Sequence, residues 1–320
     1  GSRGIDRGKP TLAGMLLTTF LTAVRGFAMG AADIVPGVSG GTIALIFGIY
    51  ERLVASVRAG SSALGHLIKG DMEGFKQWFG RVDWAFIIPL GVGILTAIIA
   101  LAPVIEHLLE VEAVVMAAVF LGLVAGSVVV AWRLVRNPTG MHVVIIAGVG
   151  VVTFVLLGLR GGTSEESVDQ VADPSLWAFF LAGSIAICAM ILPGISGSFL
   201  LVILGMYGPV LSAVTDRDLT ALFVFFVGAV IGLALFSQLL DRALRRYHDI
   251  VIASLIGLMA GSVRVLWPWP FGVDSTELGA PEGQVIAAVA AAAIAFVAVV
   301  VIASAAQRLE SSENASTTTG

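Results

Sequence analysis

The stretch Pro36-Gly37-Val38-Ser39-Gly40-Gly41 follows one apolar segment, about 12 to 32, and leads into another, about 40 to 57. Proline lacks a backbone donor and glycine lacks a side chain, so this run breaks a helix where hydropathy alone would continue it. A displacement of 157 residues lays Pro36, Gly37, Ser39, Gly40, Ile46, Gly48 and Tyr50 on Pro193, Gly194, Ser196, Gly197, Ile203, Gly205 and Tyr207. A second block repeats in the same order. Gly122-Leu123-Val124-Ala125-Gly126-Ser127-Val128, ending at Trp132, matches Gly257-Leu258-Met259-Ala260-Gly261-Ser262-Val263, ending at Trp267. Two ordered blocks read as duplication, with one copy over residues 1–160 and the other over 175–308.

Composition places both copies in a membrane. Of 320 residues, 58% are hydrophobic and 12% are charged, against about 25% charged in a soluble domain. Ten apolar stretches can be marked, several of them near the roughly 20 residues a helix needs to cross a hydrocarbon core. The expectation is an all-α polytopic protein forming one membrane domain. Each copy holds a broken or re-entrant helical hairpin (12–57 and 176–214) plus three transmembrane helices (within 84–160 and 219–306). Five apolar segments per copy, or three if the hairpin dips in and returns, is an odd number either way. The second copy therefore enters from the opposite side, and the repeats are inverted.

Positive charge sets the orientation, because Lys and Arg concentrate on cytoplasmic loops. With the N-terminus inside, fourteen of the 18 Lys and Arg fall on the cytoplasmic side, Arg160, Arg217 and Arg264 fall outside, and Arg25 lies within the membrane. The outer loops are acidic instead, with Glu106, Glu110 and Glu112, then Glu165, Glu166, Asp169 and Asp173, then Asp274, Glu277 and Glu282. Both termini are expected in the cytoplasm of a bacterial inner-membrane protein. Leu64, Leu67, Ile68, Phe75, Trp78 and Phe79 recur at helical spacing among charges, which predicts a helix at the cytoplasmic interface. Residues 309–320 are polar and are expected to form a disordered tail. The opening Gly1-Ser2 reads as a cleavage scar, and the first apolar segment is expected to be retained. The lone Cys188 excludes an intramolecular disulfide and reads as a small core residue.

Non-helical backbone at membrane depth is tolerated only where protein or a water-lined cavity satisfies it, so the two breaks imply a cavity. A helix starting after Gly40 offers unpaired amides and the positive end of its dipole. Glycines let a phosphate approach the main chain, and Ser39, Thr42, Ser196 and Ser198 add hydroxyls. Broken helices meeting between repeats mark the binding site of many secondary transporters. Charged side chains within a membrane are costly and are functional candidates by default. Arg25 and Asp33 fit that description, either as phosphate partner and cation acceptor or as an ion pair with each other. Under the displacement they fall on Ala182 and Met190, so the charged part of the site is asymmetric.

Other chemistries fit less well. Both tips contain Gly-x-Ser-Gly, a short signature of intramembrane serine proteases, but His66, His107, His142 and His248 fall in loops or at segment ends. A serine nucleophile lacks its base there. No Walker-type phosphate loop occurs, and neither metal, cofactor nor nucleic acid is expected.

The runs Gly30-Ala31-Ala32-Asp33-Ile34-Val35-Pro36-Gly37-Val38-Ser39-Gly40-Gly41-Thr42 and Pro193 to Ser198, each followed by Gly-x-Tyr at 48–50 and 205–207, resemble the polyprenyl-phosphate transporter family. The resemblance covers essentially the whole chain. It implies a flippase that returns undecaprenyl phosphate from the outer to the inner leaflet for envelope polymers such as peptidoglycan. It also implies headgroup handling by Asp33, Pro36, Gly37, Ser39, Gly40, Gly41, Thr42 and Glu51, with Pro193, Gly194, Ser196, Gly197 and Ser198. Moving an anion inward opposes an inside-negative potential by about 2.3 kcal/mol per charge per 100 mV. Coupling to a proton, or else to sodium, is therefore expected, with Asp33 or Glu51 as carrier. A secondary transporter of a small soluble anion, an intramembrane serine hydrolase and a scaffold are the alternatives, and the oligomeric state stays open.

Overall fold

The computed structural model describes residues 12–34, 39–158, 170–195, 197–272 and 277–318. Pro36, Gly37, Arg160, Glu165, Glu166, Asp169, Ser196 and Asp274 lie outside that set, as does the side chain of Ser198. The described chain is all helix and turn, without a strand. Its helices are α1 (Leu12–Asp33), α2 (Gly40–Ile46), α3 (Tyr50–Ile68), α4 (Met72–Phe79), α5 (Trp84–Val111), α6 (Ala113–Trp132) and α7 (Gly140–Gly158). They continue as α8 (Leu176–Ile191), α9 (Gly197–Ile203), α10 (Tyr207–Thr215), α11 (Leu219–Arg246), α12 (His248–Ser262, prolonged by a 3-10 turn Val263–Leu266) and α13 (Val285–Thr318).

The order of elements recurs, and so do their bounds. The short helices α2 and α9 and the starts of α3 and α10 are displaced by 157 residues, whereas α5 and α11 are both 28 residues long and displaced by 135. The change of register falls where α3 runs to Ile68 and α4 follows, while α10 stops at Thr215. The first run of helices thus carries an extra segment. α4 has no buried residue, presents Met72 and Phe79 outward, and is capped by the Asp71 carboxylate on the Gly74 amide at 2.8 Å.

Gly-x-Tyr acquires a physical meaning at the end of each short helix. Gly48 and Gly205 both sit at φ +66°. The Gly48 amide donates to Leu45 and the Ile49 amide to Ala44; likewise Gly205 donates to Val202 and Met206 to Leu201, all within 3.1 Å. This paired closure is a Schellman cap, which requires a left-handed residue just beyond the helix. A new helix then starts at the tyrosine. Each apolar stretch expected at 40–57 and 197–214 is thereby divided into two pieces.

Among the described residues, seven helices are long and apolar enough to cross a membrane: α1, α5, α6, α7, α11, α12 with its 3-10 turn, and α13. At about 1.5 Å per residue, the 16-residue α8 reaches only about 24 Å and falls short of a 30 Å core. The chain is a multi-span membrane protein. Its outward faces carry Ile88, Val92, Leu95 and Ile99 on α5, Phe223 and Phe226 on α11, and Ile286 and Ile294 on α13. Such faces suit hydrocarbon rather than water. α13 continues as helix to Thr318, where a disordered tail was expected from 309. An Ala-rich helix already nucleated propagates at little further cost, which polarity alone does not reveal.

Helices associate in four closely packed pairs, α1 with α5, α8 with α11, α6 with α13 and α7 with α12. Glycines set the approach. A side chain at Gly26 or Gly93 would run into the facing backbone of Leu90 or Ala23, and one at Gly228 or Gly183 into that of Phe180 or Phe225. Gly122 against Ala292 and Gly257 against Ile146 complete the set. Lacking a hydrophobic drive between apolar helices in lipid, small residues supply association through close van der Waals contact. Between the pairs lies a core of Leu45, Tyr50, Phe86, Phe120, Val124, Ile252, Ile256 and Met259.

Replacing Gly48 or Gly205 by Ala should lower stability by about 1–2 kcal/mol, the cost of a left-handed L residue. Gly91, in the interior of α5 with open space around it, should gain up to about 1 kcal/mol on the same change. Thermal unfolding of the purified chain in detergent reads both.

Candidate functional site

The two helix breaks meet. Ser39 caps α2 in an extended conformation (φ −129°, ψ 141°), its hydroxyl accepting from the Gly41 amide at 3.1 Å and donating to the Met190 carbonyl at 3.3 Å. The Gly194 amide donates to Thr42 Oγ1 at 3.2 Å, and the Tyr50 hydroxyl donates to the Ile191 carbonyl at 3.1 Å. Residues beside the first break thus satisfy the amide and carbonyls of the second. Ser39, Thr42, Tyr50, Pro193 and Gly194 are all buried. Gly41 is required by the approach itself, since a Cβ there would stand 2.7 Å from the Ile191 carbonyl oxygen. Gly194 adopts φ +84° and lies against the backbone of Met259.

The amino end of α2 holds an anion supplied by the chain. Asp33 Oδ1, at the end of α1, accepts the Gly40 amide at 2.6 Å. The next two amides are also engaged, Gly41 on Ser39 Oγ and Thr42 on the Ser39 carbonyl at 2.8 Å. The corresponding place on α9 has the same shape but not the same charge. A Cβ on Gly40 would meet the Asp33 carboxylate, and one on Gly197 would meet the Met190 side chain. The asymmetry expected from the displaced sequence is visible in space as Asp33 opposite Met190.

Asp33, Gly40, Gly41, Met190 and Ile191 line one cavity of about 120 Å³, together with Met29, Leu53, Val54, Val57 and Ser237. Its wall is mostly apolar, with Asp33 exposed at its surface. A cavity of this size admits a few waters and falls well below the roughly 300–1,000 Å³ that enclose a drug-sized ligand. Arg25 is half-buried on α1, two turns before Asp33, and is not among the residues of this wall.

Glu51 lies elsewhere. It lines a separate cavity of about 140 Å³ with Gly48, Tyr50, Leu134, Arg136, His248 and Ile252. Glu51 Oε1 is 2.8 Å from His248 Nε2 and 3.6 Å from Arg136 Nη2. His248 Nδ1 is 2.9 Å from Asp249 Oδ1, and the Asp249 carboxylate accepts the amides of Arg136 and Asn137 at 3.0 and 2.9 Å. The two acidic residues read together from the sequence therefore belong to two different pockets.

Nucleophilic chemistry at Ser39 finds no support in these contacts. Its hydroxyl proton is directed at a main-chain carbonyl, and neither cavity brings a histidine to it: His248 binds Glu51, while His142 is held by Thr139 at 2.9 Å. Among the described residues no group of three His, Cys, Asp or Glu could hold a metal ion. Sequence reasoning missed Ile191, Met190 and Ser237 as cavity residues. The first two act through carbonyls, which leave no compositional trace, and Ser237 is one hydroxyl in an apolar stretch. Its spacing of four residues from Asp241 was the available signal.

Residues 29–282 match the family model described as undecaprenyl phosphate translocase-like. A curated protein of Vibrio cholerae named polyprenyl-phosphate transporter is 40% identical over 262 residues, 81% of this chain and 80% of its own. A protein of the same name from Staphylococcus aureus is 29% identical over 262 residues, 78% of this chain and 86% of its own. No solved structure matches the chain.

Thr42→Val should leave the buried Gly194 amide unpaired and cost about 1–3 kcal/mol. Thr42→Ser keeps that bond and should cost about 0.8 kcal/mol, for one buried methyl. Unfolding of the two purified variants in parallel checks the order.

Proposed function

The chain belongs to the undecaprenyl phosphate translocase-like family, and on that premise we propose that it returns undecaprenyl phosphate, or a related polyprenyl phosphate, from the outer to the inner leaflet of the bacterial cytoplasmic membrane. That return resupplies the lipid carrier for envelope polymers. The observation carrying the reading is the junction of the two helix breaks, where Asp33, Gly40 and Gly41 face Met190 and Ile191 across one cavity. Oppositely inserted halves would bring such tips together near the midplane, as in other secondary transporters with broken helices. The recurring helix order supports two related halves.

Cavity size supports a division of the substrate into a headgroup that enters and a tail that does not. About 120 Å³ suits a phosphate headgroup and not a polyprenyl chain, so the tail stays in lipid while the headgroup crosses. A small soluble anion would need a closed polar route, which the apolar wall of Met29, Leu53, Val54, Val57, Met190 and Ile191 does not favour.

Asp33 gives the coupling a physical form. Its carboxylate already occupies the amide end of α2, and like charges in a low-dielectric site repel strongly. A phosphate takes that place only once Asp33 is neutralised, by a proton first and sodium second. Cation and headgroup then cross together, which offsets the opposing membrane potential. Asp33 rather than Glu51 carries the ion, because Glu51 is engaged by His248 and Arg136 outside this cavity.

Deleting the protein in cells without a redundant carrier should raise surface-labelled undecaprenyl phosphate; unchanged outer-leaflet levels would remove the lipid assignment. In sealed proteoliposomes, transport should respond to a pH or sodium gradient. Asp33→Asn should abolish that response and slow transport about ten-fold or more, a barrier increase of about 1.4 kcal/mol or more. Wild-type transport indifferent to both gradients would refute the coupling.

A further inference from the structure

Beside the cavity, between α3 and α11, lies a cluster of charges that the carrier reading above does not use. On α3, Arg58 follows the wall residue Val57; on α11, Asp241 and Arg245 stand one and two turns beyond the wall residue Ser237. Ser61 Oγ and Ser237 Oγ are 3.3 Å apart. One turn beyond Ser237 on α11, Asp241 Oδ2 accepts from Arg58 Nη1 at 2.5 Å, while Arg245 Nε lies 3.1 and 3.0 Å from the two carboxylate oxygens. Arg58 also stands 5.7 Å from the centre of the Trp78 ring, which Arg81 covers from 4.6 Å.

Exposure within this cluster is uneven. The Asp241 side chain is 6% exposed, that of Arg58 is 32% and that of Arg245 is 68%. One buried carboxylate therefore holds two guanidinium groups, one from each run of helices. A buried charge is tolerated only with such partners. Guanidinium forks match phosphate as well as carboxylate, because both offer paired oxygens at the right spacing. The pair is thus a phosphate site with a tethered carboxylate seated in it.

Resting on the carrier reading, we propose that Arg58 and Arg245 form a second phosphate-monoester site beside the cavity, between α3 and α11, gated by Asp241, which occupies it until an arriving headgroup displaces it. Leaving the cavity then requires no bare guanidinium at any stage. The Arg58 contact joins α3 to α11, so displacing Asp241 also breaks that link between the two helices.

The test uses the full chain in phosphatidylcholine nanodiscs, titrated with geranyl monophosphate and separately with inorganic phosphate. Asp241→Asn removes the competing charge and should tighten geranyl monophosphate binding about ten-fold; adding Arg58→Gln should cancel the gain. A gain confined to geranyl monophosphate assigns the site to a lipid headgroup, and an equal gain for inorganic phosphate assigns it to the phosphate group alone. Unchanged affinity in a folded Asp241→Asn protein, or a gain that survives Arg58→Gln, overturns the proposal. Where Asp241→Asn does not fold, Ser61→Cys with Ser237→Cys in a Cys188→Ser chain decides. The oxidised pair must stop transport while geranyl monophosphate still binds, and reductant must restore transport. Transport persisting through the formed crosslink overturns the gate. If the unsubstituted chain binds and only the Asp241 variants fail these expectations, the carrier reading stands without the second site; binding by no chain removes both.

Discussion

A peptide group left bare inside hydrocarbon costs several kcal/mol, and two interrupted helices expose several such groups at once. The protein meets that constraint by letting each interruption supply what the other lacks. Ser39 and Tyr50 give hydrogens to the carbonyls of Met190 and Ile191, and Thr42 receives one from Gly194. Everything near the cavity follows from this exchange. Gly41 has no side chain because the Ile191 carbonyl is in the way, and Asp33 is fixed beside Gly40 because its carboxylate completes the amino end of α2.

The same constraint explains what could be read in advance. Pro-Gly runs and their recurrence at 157 residues are covalent facts, so the breaks, the all-helical class and the repeating order of elements were legible. The glycine of Gly-x-Tyr was legible as a motif but not as a cap, since only the bonds from Gly48 to Leu45 and Ile49 to Ala44 reveal the second helix start. Site chemistry was legible where a side chain carries it, as at Asp33, Ser39 and Thr42. It was hidden where a carbonyl carries it, as at Met190 and Ile191. Glu51 stood near the tip in sequence, yet a new helix beginning at Tyr50 carries it to His248 and Arg136.

Near-symmetry of shape with asymmetry of charge recurs through the molecule. Gly40 and Gly197 start equivalent helices, but one faces a carboxylate and the other a methionine. α3 is long and charged where α10 is short, and it is α3 that brings Arg58 to Asp241. Two carboxylates answer nearby donors, Asp33 the Gly40 amide in the cavity wall and Asp241 the guanidinium groups of Arg58 and Arg245 beside it.

The helix pairs carry one more consequence. α6 ends at Trp132, but its glycine-fitted neighbour α13 begins only at Val285, and α7 likewise waits for α12. During synthesis α6 enters the bilayer long before α13 has left the ribosome. Its Gly122 and Gly126 face lipid in the meantime. Final assembly is therefore a late step, and a chain truncated before α13 leaves Gly122 and Gly126 of α6 without the helix they are fitted to.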